Sequence, residues 1–92
     1  MRVAMIGAGY VGLVSGACFA DFGHTVTCID KDQNKVDMLK AGKMPIFEPG
    51  LDLLVAQNTR EGRLSFTQDA GRAVAEADAV FSAEATCVSR LN

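Results

Sequence analysis

Three glycines near the N-terminus, followed by an aspartate farther along the chain, form the pattern with the clearest chemical meaning in this sequence. Gly7, Gly9 and Gly12 have the spacing Gly-x-Gly-x-x-Gly. Asp30 follows at roughly the 20-residue distance that a dinucleotide-binding fingerprint requires. The spacing alone is a weak signal, but here a predicted strand precedes it and a predicted helix follows it. In that setting the pattern predicts a phosphate-binding turn at the mouth of a βαβ unit.

Each residue of this turn has a physical task. Gly7 allows the chain to turn sharply out of the strand, and Gly9 lets the backbone approach a pyrophosphate because it has no side chain. Gly12 lets the helix pack closely on the strands. Backbone N–H groups near Tyr10 and Val11 point at the phosphates from the positive end of the helix dipole. The alternative is that the glycines serve only as turn residues; the strand, the helix and Asp30 together favour the dinucleotide site.

The carboxylate of Asp30 predicts which dinucleotide is bound. It accepts hydrogen bonds from the hydroxyls of the adenosine ribose, and its charge repels a 2′-phosphate, so NAD is favoured over NADP. Lys31 and Lys35 weaken this preference, since either can reach the ribose edge. For Lys35 a ribose contact and a simple exposed position on a helix remain open, and for Tyr10 packing over the adenine side and simple exposure remain open.

The elements that must position these residues alternate between strands and helices. Apolar and β-branched runs predict strands over 2–6, 25–29, 64–67 and 79–83, and helical patterns cover 10–22, 32–41, 51–61 and 69–77. In the first helix Val11, Val14, Cys18 and Phe22 recur at spacings of three and four, which predicts an apolar stripe.

This alternation predicts the α/β class. We expect a partial Rossmann fold, in which a parallel sheet of about four strands, in the order 3-2-1-4, carries helices on both faces. A complete dinucleotide fold has six strands. We therefore expect residues 1–92 to form a single, partial NAD-binding domain.

The sequence resembles the N-terminal NAD-binding region of the UDP-glucose/GDP-mannose dehydrogenases. Beyond the glycine turn, which reads Gly-Ala-Gly-Tyr-Val-Gly-Leu, and Asp30 with Lys35, the most specific segment is Pro45–Leu51, which reads Pro-Ile-Phe-Glu-Pro-Gly-Leu. The resemblance is strong over residues 1–81 and covers only the first part of a family member. Residues 82–92 diverge, since Ala85 and Cys87 stand where the family has the glycine and the proline of Gly-Thr-Pro.

The resemblance implies an activity and a set of contacts. The family oxidises a nucleotide sugar at its C6 alcohol to the carboxylate in two NAD-dependent steps. It implies cofactor contacts at Val11, Asp30, Lys35 and Thr86, the last being the threonine that follows the fourth strand. The family's catalytic groups lie in a later segment, so we expect no catalytic residue in this chain. We expect it to bind the ADP half of NAD without turnover, and a nucleotide sugar to bind only in a full-length relative.

Composition excludes several other classes. The chain has 92 residues, 49% of them hydrophobic and 22% charged, with a formal net charge of -2. The basic residues are dispersed, which argues against binding to nucleic acid or to an anionic membrane surface. No run approaches the roughly 18 apolar residues of a membrane span. The three cysteines, Cys18, Cys28 and Cys87, fit neither a disulfide framework nor a metal site, so we expect a cytoplasmic protein with Cys18 and Cys28 reduced and mostly buried.

The fourth strand lacks an outer neighbour in this sequence. Because an exposed apolar edge is a template for pairing, we expect self-association through that strand. Two alternatives to the truncated dehydrogenase remain open: a small nucleotide-binding module and a self-associating fragment without a catalytic role.

Overall fold

A computed structural model describes residues 1–43 and 49–82 of the chain. Strands and helices alternate as the sequence predicts, with two helices between the second and third strands. The elements are β1 (Arg2–Ile6), α1 (Tyr10–Asp21), β2 (Thr25–Ile29), α2 (Gln33–Lys40), α3 (Leu51–Arg60), β3 (Leu64–Thr67), α4 (Ala70–Glu76) and β4 (Ala79–Ser82).

The four strands form one parallel sheet in the order β3-β2-β1-β4, which confirms the predicted topology. The register pairs Ile6 of β1 with Ile29 of β2 on one side and with Ser82 of β4 on the other. The carboxyl ends of β1 and β2 therefore lie side by side. In a sheet of this type the crevice beyond these ends is where ligands bind.

The two faces of the sheet differ in chemistry. One face presents buried apolar side chains to α1 and α3, and these are Val26, Cys28, Leu64 and Phe66. The other face presents hydroxyl side chains, with Thr27 Oγ1 lying 3.4 Å from Ser65 Oγ. Helix α4 contacts β1 and β2 on this polar side and buries no residue of its own. Helices thus lie on both faces, and the core lies on the α1 side.

Helix α1 packs with a different face from the one that its large apolar residues predict. The prediction that the apolar stripe faces the core is wrong. Val11 is 58% and Phe22 79% exposed, and Cys18 is also exposed. Of the stripe, only Val14 packs partly against the core. The prediction that Cys18 is buried is therefore wrong, whereas Cys28 is buried as predicted.

The buried face of α1 consists mainly of small residues. It comprises Gly12, Leu13, Gly16, Ala17 and Ala20. These side chains let the helix approach the sheet closely: a Cβ atom at Gly16 would lie 2.9 Å from Cys28 Sγ. Apolar residues surround most of α1, so the spacing of the large ones does not identify the packed face.

A buried polar cluster joins the far ends of α1 and α3 to the start of β3. Asn58 is fully buried; its Nδ2 donates to the carbonyl oxygen of Leu54 at 2.9 Å and to Asp21 Oδ1 at 3.4 Å. Arg63 Nε donates to Asn58 Oδ1 at 3.1 Å and to the carbonyl oxygen of Ala20 at 3.0 Å. Pairing of this kind is what makes a buried amide tolerable in a core.

The described helices are all short. In residues 1–43 and 49–82, none has the length and apolar character that a membrane crossing demands.

Candidate site at the carboxyl ends of β1 and β2

The glycine turn and Asp30 meet where β1 and β2 end. The amide of Gly7 donates to the carbonyl oxygen of Ile29 at 2.7 Å, so the parallel pairing continues one residue past β1. The chain then turns through Ala8 and Gly9 into α1. The β2 side supplies Asp30 immediately after the strand. The fold thus brings together residues that are far apart in the sequence.

Gly7 and Gly9 are glycines for different reasons. Gly7 has a φ of 101°, a left-handed conformation that favours glycine, so the turn itself requires it. Gly9 has φ −77° and ψ −163°, which any residue can adopt. Within the described part of the chain, a Cβ atom at Gly9 would meet no atom within 4 Å apart from its chain neighbours. Neither conformation nor packing in the described part of the chain requires a glycine at this position.

The start of α1 is unlike the starts of the other described helices. Its N-cap residue, Gly9, makes no side-chain capping hydrogen bond, and its first turn contains no acidic residue. Asp32 caps α2, Asp69 caps α4, and α3 has Asp52 in its first turn. The first N–H groups of a helix lack partners within the helix and carry its positive dipole end. At α1 no side-chain carboxylate of its own compensates them, as a site for an anionic ligand requires.

Asp30 has a half-buried carboxylate that two backbone N–H groups hold in place. The amide of Ala8 donates to Asp30 Oδ2 at 3.0 Å, and the amide of Asp32 donates to Oδ1 at 2.9 Å. Partial desolvation raises the pKa of Asp30, but the N–H groups of Asp32 and Ala8, together with the charge of Lys35, outweigh it, so the pKa lies below its ordinary value. The carboxylate is therefore ionised at neutral pH and still has lone pairs to accept further hydrogen bonds.

Lys35 is the cation nearest to this carboxylate among the described ion pairs. Its Nζ lies 3.5 Å from Asp30 Oδ2, and about a third of its side chain is exposed. Lys35 is in the first turn of α2, where the Asp32 side chain accepts from its amide. The structure therefore brings Lys35 to the same edge of the sheet as Asp30.

The remaining predicted site residues are placed as follows. Tyr10 and Val11 are exposed in the first turn of α1, next to Gly9, and Gly12 is buried against the sheet. Thr86 lies outside the described residues, as do residues 45–48 of the segment Pro45–Leu51.

The glycine fingerprint does not predict the two donors that hold Asp30. The N–H of Ala8 belongs to an unremarkable residue of the turn, and only the fold shows its contact. The contact from Asp32 has a local signal, because an aspartate that accepts from the amide two residues later forms an Asx turn. The fingerprint assigns close helix packing to Gly12, and Gly16 provides a second tight contact.

Within the described part of the chain, acidic residues, cysteines and the histidine do not gather into a metal site. Among residues 1–43 and 49–82, no group of three or more such side chains is arranged to hold a metal ion.

Comparisons with known proteins agree with this geometry. The sequence profile described as the UDP-glucose/GDP-mannose dehydrogenase family, NAD binding domain, matches residues 1–90. UDP-glucose 6-dehydrogenase of Rhizobium meliloti (strain 1021) is 64% identical over 86 residues, which are 94% of this chain and 20% of that protein. The chain thus spans about a fifth of the length of the curated relatives that it matches.

Two solved structures show the same arrangement of strands and helices. A ternary complex of GDP-mannose dehydrogenase from Pseudomonas aeruginosa superimposes with a TM-score of 0.85 at 43% identity, covering 89% of this chain and 19% of that one. A UDP-glucose dehydrogenase from the archaeon Pyrobaculum islandicum superimposes with a TM-score of 0.83 at 41% identity, covering 88% and 19% of the two chains.

Proposed function

Because the chain belongs to the UDP-glucose/GDP-mannose dehydrogenase family, whose NAD-binding domain it matches over residues 1–90, we propose that it binds the ADP half of NAD. The observation that carries the proposal is the hydrogen bond from Ala8 to the ionised carboxylate of Asp30, which joins that carboxylate to the glycine turn at the start of α1. A diphosphate binds favourably at the N-terminus of a helix such as α1, and the hydroxyls of a ribose donate to a carboxylate such as that of Asp30.

The pyrophosphate binds at the turn that contains Gly7, Gly9 and Gly12. Open space where a side chain of Gly9 would stand fits a phosphate that approaches the main chain. The N–H groups of the first turn, around Tyr10 and Val11, donate to the phosphate oxygens, and the helix dipole adds a favourable field.

The adenosine ribose binds at Asp30. The carboxylate accepts from the ribose hydroxyls, and its negative charge disfavours the 2′-phosphate of NADP. Lys35 contacts the same ribose edge and limits this discrimination, because its ammonium attracts a phosphate. Thr86 supplies a further contact to the cofactor.

We propose that the chain provides the cofactor-binding part of a UDP-glucose 6-dehydrogenase-like oxidoreductase, in which bound NAD accepts hydride. The full-length protein would oxidise the C6 alcohol of a nucleotide sugar to the carboxylate in two steps, and the sugar would contact segments other than this one. This chain alone binds without turnover. In support, Cys28 is buried with its pKa raised to about 12 by desolvation, and Cys18 lies on the exposed side of α1. Neither thiol is a nucleophile at the cofactor site.

Calorimetric titration tests the binding proposal. NAD and ADP-ribose should bind with similar affinity, since both carry the ADP half, and NADP should bind about tenfold or more weakly, a difference of about 1.4 kcal/mol. No NADH should form when UDP-glucose is added. Absence of binding by both NAD and ADP-ribose would contradict the proposal, and NADH formation would contradict the absence of turnover.

As a second candidate, we propose that the chain self-associates through β4. Among the described strands β4 pairs only with β1, and its outer edge is open. Val80 and Phe81 are 44% and 42% exposed, and consecutive strand residues point to opposite faces, so apolar surface borders the edge on both sides. Sedimentation velocity at rising concentration tests this; a single monomeric species throughout would contradict it.

We further propose that residues 1–92 act as a single partial NAD-binding domain in the cytoplasm. Free thiols at Cys18 and Cys28 are compatible with a reducing compartment.

A further inference from the structure

The side chain of Gln68 reaches across from the end of β3 to the turn that carries Asp30. Its Nε2 donates to the carbonyl oxygen of Lys31 at 2.8 Å. Gln68 directly follows β3, and Lys31 directly follows Asp30. This hydrogen bond therefore ties the turn after β3 to the turn after β2.

The peptide group that accepts from Gln68 is the same one that holds Asp30. The carbonyl of Lys31 and the amide of Asp32 belong to one planar peptide unit. On one side its oxygen accepts from Gln68, and on the other its N–H donates to Asp30 Oδ1 at 2.9 Å. Because a peptide is rigid and planar, fixing the oxygen also fixes the direction of the N–H. A hydrogen bond to the carbonyl also polarises the unit and strengthens its N–H as a donor.

We propose that Gln68 is a positioning residue for the ribose site, which acts by orienting the Lys31–Asp32 peptide that holds the Asp30 carboxylate. The inference rests on the proposed function of Asp30 and extends the site to the third strand. Gln68 makes no contact with the cofactor in this proposal; it affects binding only through Asp30.

The turn that carries Gln68 is itself well braced. Thr67 Oγ1 accepts from the amide of Asp69 at 3.1 Å, and Asp69 Oδ1 accepts from the amide of Arg72 at 3.1 Å, which caps α4. The amide of Asp30 donates to the carbonyl oxygen of Thr67 at 3.1 Å, so the two turns start from a paired position. The donor of Gln68 thus projects from a fixed base.

The test replaces Gln68 by methionine, which has similar length but no donor. In Gln68→Met the Lys31–Asp32 peptide loses one of the two hydrogen bonds that orient it, so we expect NAD affinity to fall about three- to tenfold, as for the loss of one modest hydrogen bond. The carboxyl pKa of Asp30, followed by NMR in the protein without NAD, should rise relative to the wild type because its Asp32 donor is weakened. Lys35, the cation beside Asp30, is unchanged in this variant.

A matched control and a double variant test whether Gln68 affects NAD affinity through Asp30. Gln57→Met, on the exposed side of α3, should leave both the pKa of Asp30 and NAD affinity at wild-type values. In an Asp30→Ala background, Gln68→Met should cause no further loss of NAD affinity, since the group through which it acts is gone. Thermal unfolding of each variant establishes that it is folded.

Three results would overturn the proposal: an unchanged Asp30 pKa in Gln68→Met, an unchanged NAD affinity, or additive losses in the double variant. Failure of the wild-type protein to bind NAD would instead refute the proposed function, and the pKa of Asp30 would still decide whether Gln68 positions the carboxylate.

Discussion

The amide nitrogen of Ala8 lies 3.0 Å from Oδ2 of Asp30, so the glycine turn and the acid of the fingerprint are joined by a direct hydrogen bond. The acid therefore has two tasks. It closes the junction between the ends of β1 and β2, and in the proposed function its remaining lone pairs accept from the ribose. A change at Asp30 should affect stability and binding together, whereas a change at Gly9 should separate them.

The lowered pKa of Asp30 predicts a specific dependence of stability on pH. Because the pKa is lower in the folded protein than its ordinary value of about 4, the ionised form stabilises the fold. This contribution is complete above the ordinary value and is lost as the pH falls below it through the lowered folded value. The free energy of unfolding of the wild type should therefore decrease in this window more steeply than that of Asp30→Asn.

Urea unfolding at a series of pH values from neutral to below 4 measures this difference. Asp52→Asn, which changes an exposed carboxylate in the first turn of α3, provides the control for general charge effects. Parallel pH profiles for the wild type and Asp30→Asn would show that Asp30 does not stabilise the fold in this way.

Gly9→Ala should leave the fold intact and weaken binding. The backbone conformation suits alanine, and the added Cβ meets open space in the described structure. The free energy of unfolding should stay within about 0.5 kcal/mol of the wild type, while NAD affinity should fall about tenfold or more, about 1.4 kcal/mol, because the methyl group occupies the approach to the pyrophosphate. Urea unfolding and calorimetry on the same sample measure both quantities. Undiminished NAD affinity in a folded variant would show that the pyrophosphate does not bind at this turn.

Gly16→Ala should have the opposite pattern. Its Cβ would lie 2.9 Å from Cys28 Sγ in the core. Overpacking costs about 1–3 kcal/mol, and the better helix propensity of alanine offsets about 1 kcal/mol of it. We expect a net loss of about 1 kcal/mol with NAD affinity unchanged.

The close contact of Gly16 can be tested by removing its neighbour. In a Cys28→Ala background the sulfur is absent, so Gly16→Ala should no longer destabilise and should gain the helix-propensity term. The four free energies of unfolding form a double-mutant cycle. A coupling energy of zero would mean that the two residues do not compete for space.

The sequence predicts the order of the strands better than it predicts which residues of a helix are packed or which amides hold a side chain. The strand order follows from the alternation of strands and helices, because right-handed parallel crossovers leave few topologies. The spacing of Gly7 and Asp30 then predicts that both lie at the carboxyl ends of neighbouring strands. The packed face of α1 does not follow from the large apolar residues, which surround the helix; its buried face consists mainly of small residues, with a close approach to the sheet at Gly16. The contact of Asp30 with Ala8 involves a backbone amide of the glycine turn, which the side-chain pattern does not predict.

The buried polar cluster around Asn58 should matter for stability and not for binding. In Asn58→Ala, Arg63 Nε and the carbonyl oxygen of Leu54 each lose a partner in a part-buried setting. Arg63 Nε keeps the carbonyl oxygen of Ala20 as a partner, so the expected cost is that of the lost hydrogen bonds, about 1–3 kcal/mol. The cluster lies beyond the far end of α1, a helix whose 12 residues span roughly 18 Å, so NAD affinity should not change.

Thermal and urea unfolding of Asn58→Ala measure the first expectation and calorimetry the second. Thr59→Ala, at the next position of α3, removes a hydroxyl that donates to the carbonyl oxygen of Val55 and serves as the matched control, with a smaller expected loss. Equal losses in the free energy of unfolding would show that the buried polar cluster stabilises the fold no more than the single hydroxyl of Thr59 does.

Val80→Lys should suppress self-association without disturbing the cofactor site. Val80 is 44% exposed on β4, which among the described strands pairs only with β1. It lies on the opposite face from Phe81, whose ring contacts that of Phe19 at 5.3 Å between centroids. A lysine beside an open edge opposes pairing with a second copy, because two like charges would have to approach each other.

Leu53→Lys, which places the same charge on an exposed position of α3, is the control and should associate like the wild type. Sedimentation velocity at matched concentrations measures the weight-average mass. If Val80→Lys and Leu53→Lys associate equally, the contact between copies does not use β4.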